Sequence, residues 1–326
     1  MALSSAGDPV PLERVLHRCS PMPAISGVAS NHPELEGAIC AWLLESRMPL
    51  PRGLDLRVDV VDEVPRFEDA REIFPQSEVE IRAGEPLGWV HLTWRRAAAV
   101  ARIEATAPHA QVFLSREAAA DVDLLLRSFL LVTLIFLWKR DGRYHVHAGT
   151  ALDTRGRGWM LIGNSNSGKS TTTALLAARG WQVGTDDIAF LVDAGDCVGV
   201  LGFRSSIALR SGGYDLLGKE GGLPLVARRK TGFWPEELGS SWVQTVVPDI
   251  VVFTSVGGER TTLTPAAPAE VLHALLRWSL WVMFEPTAAQ EHLDLLSRLG
   301  RQARCYRATL APDLFRAPGA LEDFLP

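Results

Sequence analysis

Eight residues in the middle of the chain have the types and the order that phosphate chemistry needs. Gly163-Asn164-Ser165-Asn166-Ser167-Gly168-Lys169-Ser170 fits G-x-x-x-x-G-K-[ST] in full. An apolar strand pattern (WMLI, 159–162) precedes it and a helix pattern follows, which is the context that gives this loop its meaning. The glycines allow backbone angles that turn successive N–H groups inward as an anion nest. The helix starting near Gly168 points its positive end at the same place. Lys169 is the cation for the β and γ phosphates, and Ser170 offers a hydroxyl to Mg²⁺. The nucleotide-contacting set is therefore Gly163 through Thr171. The plain alternative is a glycine-rich turn before a helix. A hydrolase elbow is excluded, because G-x-S-x-G would need glycine where Ser167 stands.

Asp186 and Asp187 follow seventeen and eighteen residues after Lys169. One helix and one short strand fill that gap, so the adjacent strand is expected to deliver two carboxylates beside the loop. One can bind Mg²⁺ and the other can take a proton from an acceptor hydroxyl. Repulsion between neighbouring carboxylates tends to raise one pKa, and a divalent cation keeps the other ionised. The plain alternative is a solvated turn at a strand end. His145 and His147 are two apart on a strand and share a face. They lack a third metal ligand nearby. The reading is that His147 hydrogen-bonds a phosphate or the nucleophile at the mouth of the site, against the commoner core or capping histidine.

The elements that must position these residues are legible in outline. Residues 145–152 (HVHAGTAL) read as a strand, joined to 159–162 by the turn 154–158. Parallel neighbours need a crossover of a dozen or more residues, so these two strands are antiparallel if they pair. Thr171–Arg179 reads as a helix, closed by Gly180. Residues 181–184 form a third strand, and 188–193 with 198–203 a hairpin. Ser211–Pro224 carries five glycines and reads as a mobile loop. Strands at 248–254 and 261–263 and helices at Pro268–Phe284 and Ala288–Leu299 complete this half. Upstream, His32–Arg47 reads as a helix, and strands at Leu54–Val61, Val79–Ile81, Gly88–Thr93, Val100–Ala105 and Gln111–Leu114 suggest an antiparallel sheet. A helix capped at Ser115 is expected to run to about Arg140.

Length and composition bound the rest. At roughly 100–200 residues per domain, 326 residues argue for two domains. The boundary is placed near residue 140: residues 1–140 a mixed, strand-rich domain that recognises substrate, residues 141–326 the phosphate-loop domain, α/β in itself and α+β for the chain as a whole. With 47% hydrophobic and 22% charged residues, disorder and collagen are excluded. A net charge of −5 argues against coating nucleic acid or anionic membrane. Residues 1–80 hold fourteen acidic residues against seven arginines, so the acidic excess is N-terminal. Only four of the 33 basic residues are lysines, and Lys169 is one of them. The four cysteines are scattered without a C-x-x-C, which fits free thiols in a reducing, cytoplasmic setting. The N-terminal sequence has no apolar core of the signal-peptide type. The apolar run Ser128–Trp138 is too short to span a bilayer and reads as a buried helix.

His147-Ala148-Gly149, the antiparallel hairpin, Gly163–Ser170 and Asp186-Asp187 together resemble the catalytic domain of HPr kinase/phosphorylase. That domain is related in fold to ATP-dependent phosphoenolpyruvate carboxykinase. The resemblance covers about residues 143–326. It implies an ATP- and Mg²⁺-dependent kinase acting on a Ser/Thr hydroxyl of a peptide or protein. Lys169 and Ser170 would take the phosphate-loop roles, Asp186 would match the proton-accepting aspartate, Asp187 a magnesium-side carboxylate together with Ser170, and His147 the active-site histidine. Thr171 departs from the Glu that HPr kinases carry after G-K-S, and FRSSIALRSGG (203–213) replaces their acidic-Arg-Gly-Leu-Gly signature. These departures point to a specialised relative, such as a kinase for a serine of a ribosomally made precursor peptide; the lasso-peptide kinases are of this type. The resemblance leaves a homo-oligomer open. The alternatives are a small-molecule kinase of the adenylylsulfate or shikimate type and a non-catalytic nucleotide-binding module. Arg204, Arg210 and the run Arg228-Arg229-Lys230 are equivalent candidates for stabilising transferred charge. Thr231–Trp234 (TGFW), Trp278 and Trp281 are read as packing residues.

Overall fold

The computed structural model describes residues 25–67, 70–74, 79–84, 88–210, 213, 217–218, 221–225, 230–279 and 286–316. Half of Ser211–Pro224, together with Arg228, Arg229, Trp281 and Cys19, lies outside these residues. The chain divides into two compact units. The first is Met1–Glu45 with Pro51–Leu137; the second is Ser46–Leu50 with Trp138–Pro326.

The first unit is a seven-stranded sheet with helices. Strand β1 (Val28–Ser30) leads through helix α1 (Pro33–Ser46) to β2 (Asp55–Val60). Then come β3 (Ala70–Phe74), β4 (Val79–Gly84), β5 (Trp89–Trp94), β6 (Ala99–Glu104) and β7 (His109–Leu114). The order is β1-β2-β7-β6-β5-β4-β3. The strands from β7 to β3 pair antiparallel, as their short connections require. The expected all-antiparallel sheet is corrected at the other end, where β1–β2 and β2–β7 are parallel. A helix connects the first of these pairs and four strands separate the second, so no tight turn dictates direction. Alternation sets the faces: Val90, Leu92 and Trp94 of β5 point inward, as do Ala110, Val112 and Leu114 of β7.

The single helix expected after Ser115 is four segments: α2 (Arg116–Ala120), α3 (Val122–Leu125), a π-helical turn (Leu126–Leu130) and α4 (Leu131–Lys139). Ser115 does cap the start, its Oγ accepting from the Ala118 N–H. Asp121 breaks the run, because its carboxylate accepts from the Leu124 N–H and caps a second start. The apolar run is buried through Phe129, Leu134, Phe136 and Trp138. Among the described residues, no helix is long and apolar enough to cross a membrane.

The second unit carries a nine-stranded mixed sheet. Strands β8 (Tyr144–Leu152) and β9 (Gly158–Ile162) precede helix α5 (Lys169–Ala177). Next are β10 (Gln182–Thr185), β11 (Ile188–Asp193), β12 (Val198–Gly202), β13 (Ile207–Leu209), β14 (Leu223–Leu225), β15 (Lys230–Phe233), β16 (Thr245–Val246), β17 (Pro248–Val256) and β18 (Thr262–Pro265). Helices α6 (Pro268–Arg277) and α7 (Pro286–Gln302), strand β19 (Arg304–Leu310) and helix α8 (Asp313–Arg316) follow. The main order is β16-β12-β11-β8-β9-β17-β19-β18, with β10 also on β8, and β13-β15-β14 form a separate small sheet. One face of the main sheet packs Val146, Ala148, Met160 and Ile162 against Val271 and Leu275 of α6 and Leu295, Leu296 and Leu299 of α7. The other packs Trp159, Ile250 and Val252 against Leu175 and Leu176 of α5, with Trp181. The strands are thus buried on both faces between helices, an α/β layering inside an α+β chain.

One buried group in this unit is out of balance with its surroundings. His292 of α7 is fully buried and stacks on Tyr144 at 4.9 Å between centroids. Among the described residues, neither of its ring nitrogens has a hydrogen-bond partner. Burial first, then the Lys139 and His145 charges, push its pKa down to about 3. The folded value lies below the unfolded 6.5, so the group's stabilising contribution is present above pH 6.5 and is lost as pH falls below it. His292→Phe keeps the stacked ring and removes two unsatisfied nitrogens, each costing about 1–3 kcal/mol when buried. The variant is expected to melt a few degrees higher at pH 7 and to lose less Tm between pH 6.5 and 4. A lower Tm than the parent's would contradict this.

Candidate active site

The candidate residues gather where β8, β9 and α5 meet. Strand β9 runs antiparallel to β8, from Ala148↔Ile162 to Leu152↔Gly158, and parallel to β17. The hairpin inferred from the short turn is therefore present. At its end the chain leaves the sheet at Gly163 and re-enters regular structure at Lys169. The space at Gly163 is closed: a Cβ there would stand 2.5 Å from the Thr254 carbonyl oxygen and 2.5 Å from Ser167 Oγ. Asn166 (φ 67°) and Gly168 (φ 90°) both take left-handed backbone angles. A side chain at Gly168 would combine that strain with a contact of 2.8 Å to Leu310. Gly168 caps α5, its carbonyl accepting from the Thr172 N–H. Asn164, Ser165 and Asn166 are exposed at the tip.

Two side chains pin the loop. Ser167 Oγ lies 2.9 Å from Thr254 Oγ1, which also donates to the Ile162 carbonyl. Thr254, on β17, is a residue that sequence reasoning missed, since nothing local marks it. Lys169 is buried, and its ammonium donates to the carbonyls of Gly163 at 2.6 Å and Asn164 at 3.1 Å. Burial lowers the Lys169 pKa; Asp187 and Asp186 oppose that shift, and Lys230 adds to it.

The acidic pair sits beside the loop, but the route differs from expectation. Strand β10 lies along β8, so β8 separates it from β9. The α5 crossover carries the chain past β8 before returning, which leaves β9 and β10 parallel with one strand between them. Strands β10 and β11 use successive stretches of the same β8 edge, Thr150–Leu152 and Tyr144–His147. Asp186 and Asp187 occupy the break between them. Thr185 holds that break, its Oγ1 accepting from the N–H groups of Asp187 and Ile188. Gly149 lies opposite, and a Cβ there would meet Thr173 Oγ1 at 3.0 Å and the Asp186 Cα at 3.5 Å.

The two carboxylates have different surroundings. Asp186 is buried; its Oδ2 accepts from the Ala208 N–H at 3.3 Å, and its carboxylate also accepts from the Ser170 hydroxyl. Burial first, then the Asp187 charge, raise its pKa to about 6, against the lowering effect of those hydrogen bonds and of Lys230. Asp187 Oδ1 lies 2.7 Å from His147 Nδ1, and both side chains are about one-third exposed, at 32% and 34%. The His147 N–H donates to the Trp278 carbonyl. His145, by contrast, is partly buried and edge-on to Phe190, and desolvation pushes its pKa down to about 3, a packing role for that histidine.

Other candidates sort themselves. Arg204 lies 4.5 Å over the Trp234 ring and 3.3 Å from Glu236, so it is committed to packing and an ion pair. Phe233 belongs to the core with Ala174, Ala177 and Ile207. Trp278 packs on the core formed with α6 and α7. Among the described residues, no group of three or more His, Cys, Asp or Glu side chains could hold a metal by itself.

No family model matches the chain. No curated protein matches it either. Among solved structures it is similar to the Hpr(Ser) kinase/phosphatase from Coxiella burnetii, at 13% sequence identity over 55% of this chain and 87% of that one, with a TM-score of 0.31.

Proposed function

We propose that the chain is a Mg²⁺- and ATP-dependent phosphotransferase that passes the γ-phosphate to a Ser/Thr hydroxyl of a peptide or protein, in a specialised tailoring pathway. The observation that carries the reading is one constellation. The loop Gly163–Ser170, a buried carboxylate bonded to the loop's own serine, and a half-exposed His147–Asp187 pair meet at one break in the sheet. Mere nucleotide binding does not require the last two.

The donor set fits both groups. Ser170 and Asp186 offer hard oxygens of the kind Mg²⁺ takes, and Mg²⁺ ordinarily completes its shell with water and phosphate oxygens. Loop amides at the start of α5 and the Lys169 ammonium suit a polyphosphate. When bound, Mg²⁺–ATP supplies an electrophilic phosphorus with its charge neutralised. Lys169, now on carbonyls of its own loop, is the movable cation for the phosphates. Asp187 faces the side a protein hydroxyl can reach and accepts the hydroxyl proton, while the His147 Nδ1–H donates to its other face and keeps it oriented. Residues 1–140 would select the acceptor.

This assignment exchanges the roles expected for the two aspartates, because it is Asp186 that touches Ser170 and Asp187 that touches His147. The exchange has a direct test. Asp186→Asn should raise the Mg²⁺ concentration needed for half-maximal transfer. Asp187→Asn should leave that requirement unchanged and lower kcat by about 10²–10⁴, the usual worth of a positioned base. The opposite pattern of Mg²⁺ dependence would restore the original order. Screening peptide and small hydroxyl acceptors with γ-labelled ATP tests the acceptor class; transfer only to a small molecule would overturn the polypeptide assignment.

A further inference from the structure

The sequence offered several cations for the transferred charge, and the structure separates them. Arg204 is held over Trp234 and on Glu236. Arg210 is exposed. Lys230 is different. It opens β15, the central strand of the small sheet β13-β15-β14. That sheet is tied to the candidate site through its backbone. Ala208 of β13 donates to Asp186, and β13 pairs with β15 through Ala208↔Gly232 and Leu209↔Thr231. One residue further along the strand is Lys230, half-buried and paired across to Leu225. Its charge acts on both Asp186 and Lys169. Among the described residues, no carboxylate or carbonyl holds its ammonium.

Two partly or fully buried ammonium groups near one another repel, and burial adds a desolvation cost. The two buried or half-buried acids here are already engaged, Asp186 with Ser170 and Ala208, and Asp187 with His147. A polyphosphate brings enough negative charge to make a second cation favourable at this place. A diphosphate held in the Gly163–Ser170 loop would engage Lys169, and a terminal third phosphate would bring further negative charge to the place where Lys169, Asp186 and Lys230 act on one another.

We propose that Lys230 is a catalytic residue that contacts the terminal phosphate of a nucleoside triphosphate, discriminating triphosphate from diphosphate and neutralising charge on that group as it is transferred. This rests on the nucleotide reading given above and adds a specificity to it. It also assigns the small sheet a purpose, since β13 and β15 fix Lys230 relative to Asp186 by backbone hydrogen bonds rather than by a flexible loop.

The test uses the full chain, titrated calorimetrically with Mg²⁺–ATP and, separately, with Mg²⁺–ADP. The parent is expected to bind the triphosphate more tightly. Lys230→Met should weaken ATP binding by about tenfold or more, as loss of a charge-assisted contact does, while ADP binding stays within about threefold. Lys230→Arg should restore most of the ATP preference, which a purely structural role for the side chain would not. Lys230→Gln repeats the measurement should the Met variant melt early. An unchanged ATP-to-ADP ratio in Lys230→Met, with both ligands lost in Lys169→Ala, would overturn the assignment of Lys230 and leave the nucleotide reading standing. Binding of neither nucleotide by the parent would overturn both.

Discussion

An Asp186→Asn chain is expected to melt several degrees higher than the parent at pH 7 in metal-free buffer, and to have lost phosphate transfer by about 10³-fold or more. Both effects come from one cause. The carboxylate is buried, and its folded pKa of about 6 stands above its ordinary 3.8. A raised carboxylate pKa means the fold binds the proton more tightly than the unfolded chain does. Stability linked to that proton is fully present below pH 3.8 and is lost as pH rises through 6. The melting temperatures of parent and variant should therefore agree near pH 4, separate between pH 4 and 6, and stay apart above that. On the proposed reading the buried charge is kept for metal binding beside Ser170, the usual relation between a strained site and activity. A variant that is destabilised at pH 7, or that keeps near-parental transfer, would show that Asp186 is a structural hydrogen-bond acceptor for Ala208 and nothing more.

The second large effect concerns Lys169. Lys169→Ala should abolish detectable ATP binding and transfer while leaving the fold intact. The ammonium has two local partners, the carbonyl of buried Gly163 and that of exposed Asn164, and no partner on a distant element is needed to hold it. The expected loss in transfer is at least about 10²–10³-fold, the worth of one preorganised charge donor. Lys169→Arg should not rescue it, since a planar guanidinium cannot take the place of a compact ammonium against the carbonyls of so tight a loop. A melting temperature within a few degrees of the parent's is the control.

How far these residues could be read from sequence follows from which forces are local. The loop, its glycines and the helix after it were legible because left-handed angles at Gly168 and Gly180 and the helix-forming run between them are set within a few residues. The β8–β9 hairpin was legible because a five-residue turn cannot join parallel neighbours. What escaped is long-range. Thr254 clasps Ser167 across 87 positions, and Ala208 reaches Asp186 across 22. No periodicity announces either. The pair Asp186-Asp187 was found, but the different surroundings of its two members were not legible, since adjacent residues at a strand break look alike until Thr185 turns their side chains into different environments. In the first unit β2, β4, β5, β6 and β7 were legible as strands and β1 and β3 were not; the parallel pairing of β1–β2 and β2–β7 escaped as well, because sheet direction there is decided by connections that carry no local signal. The capped helix after Ser115 was read as continuous because Asp121 looks like an ordinary surface residue until its carboxylate is seen on the Leu124 N–H.

Every role proposed for Lys169, Asp186, Asp187 and Lys230 depends on Gly163–Ser170 cradling the phosphates of ATP with Mg²⁺. Calorimetric titration of Mg²⁺–ATP into the full chain, beside its Lys169→Ala variant, tests that claim most directly. The predicted result is saturable one-to-one binding by the parent that weakens when Mg²⁺ is chelated and disappears in Lys169→Ala. Equal binding by parent and variant, or no heat of binding in the folded parent, would contradict it.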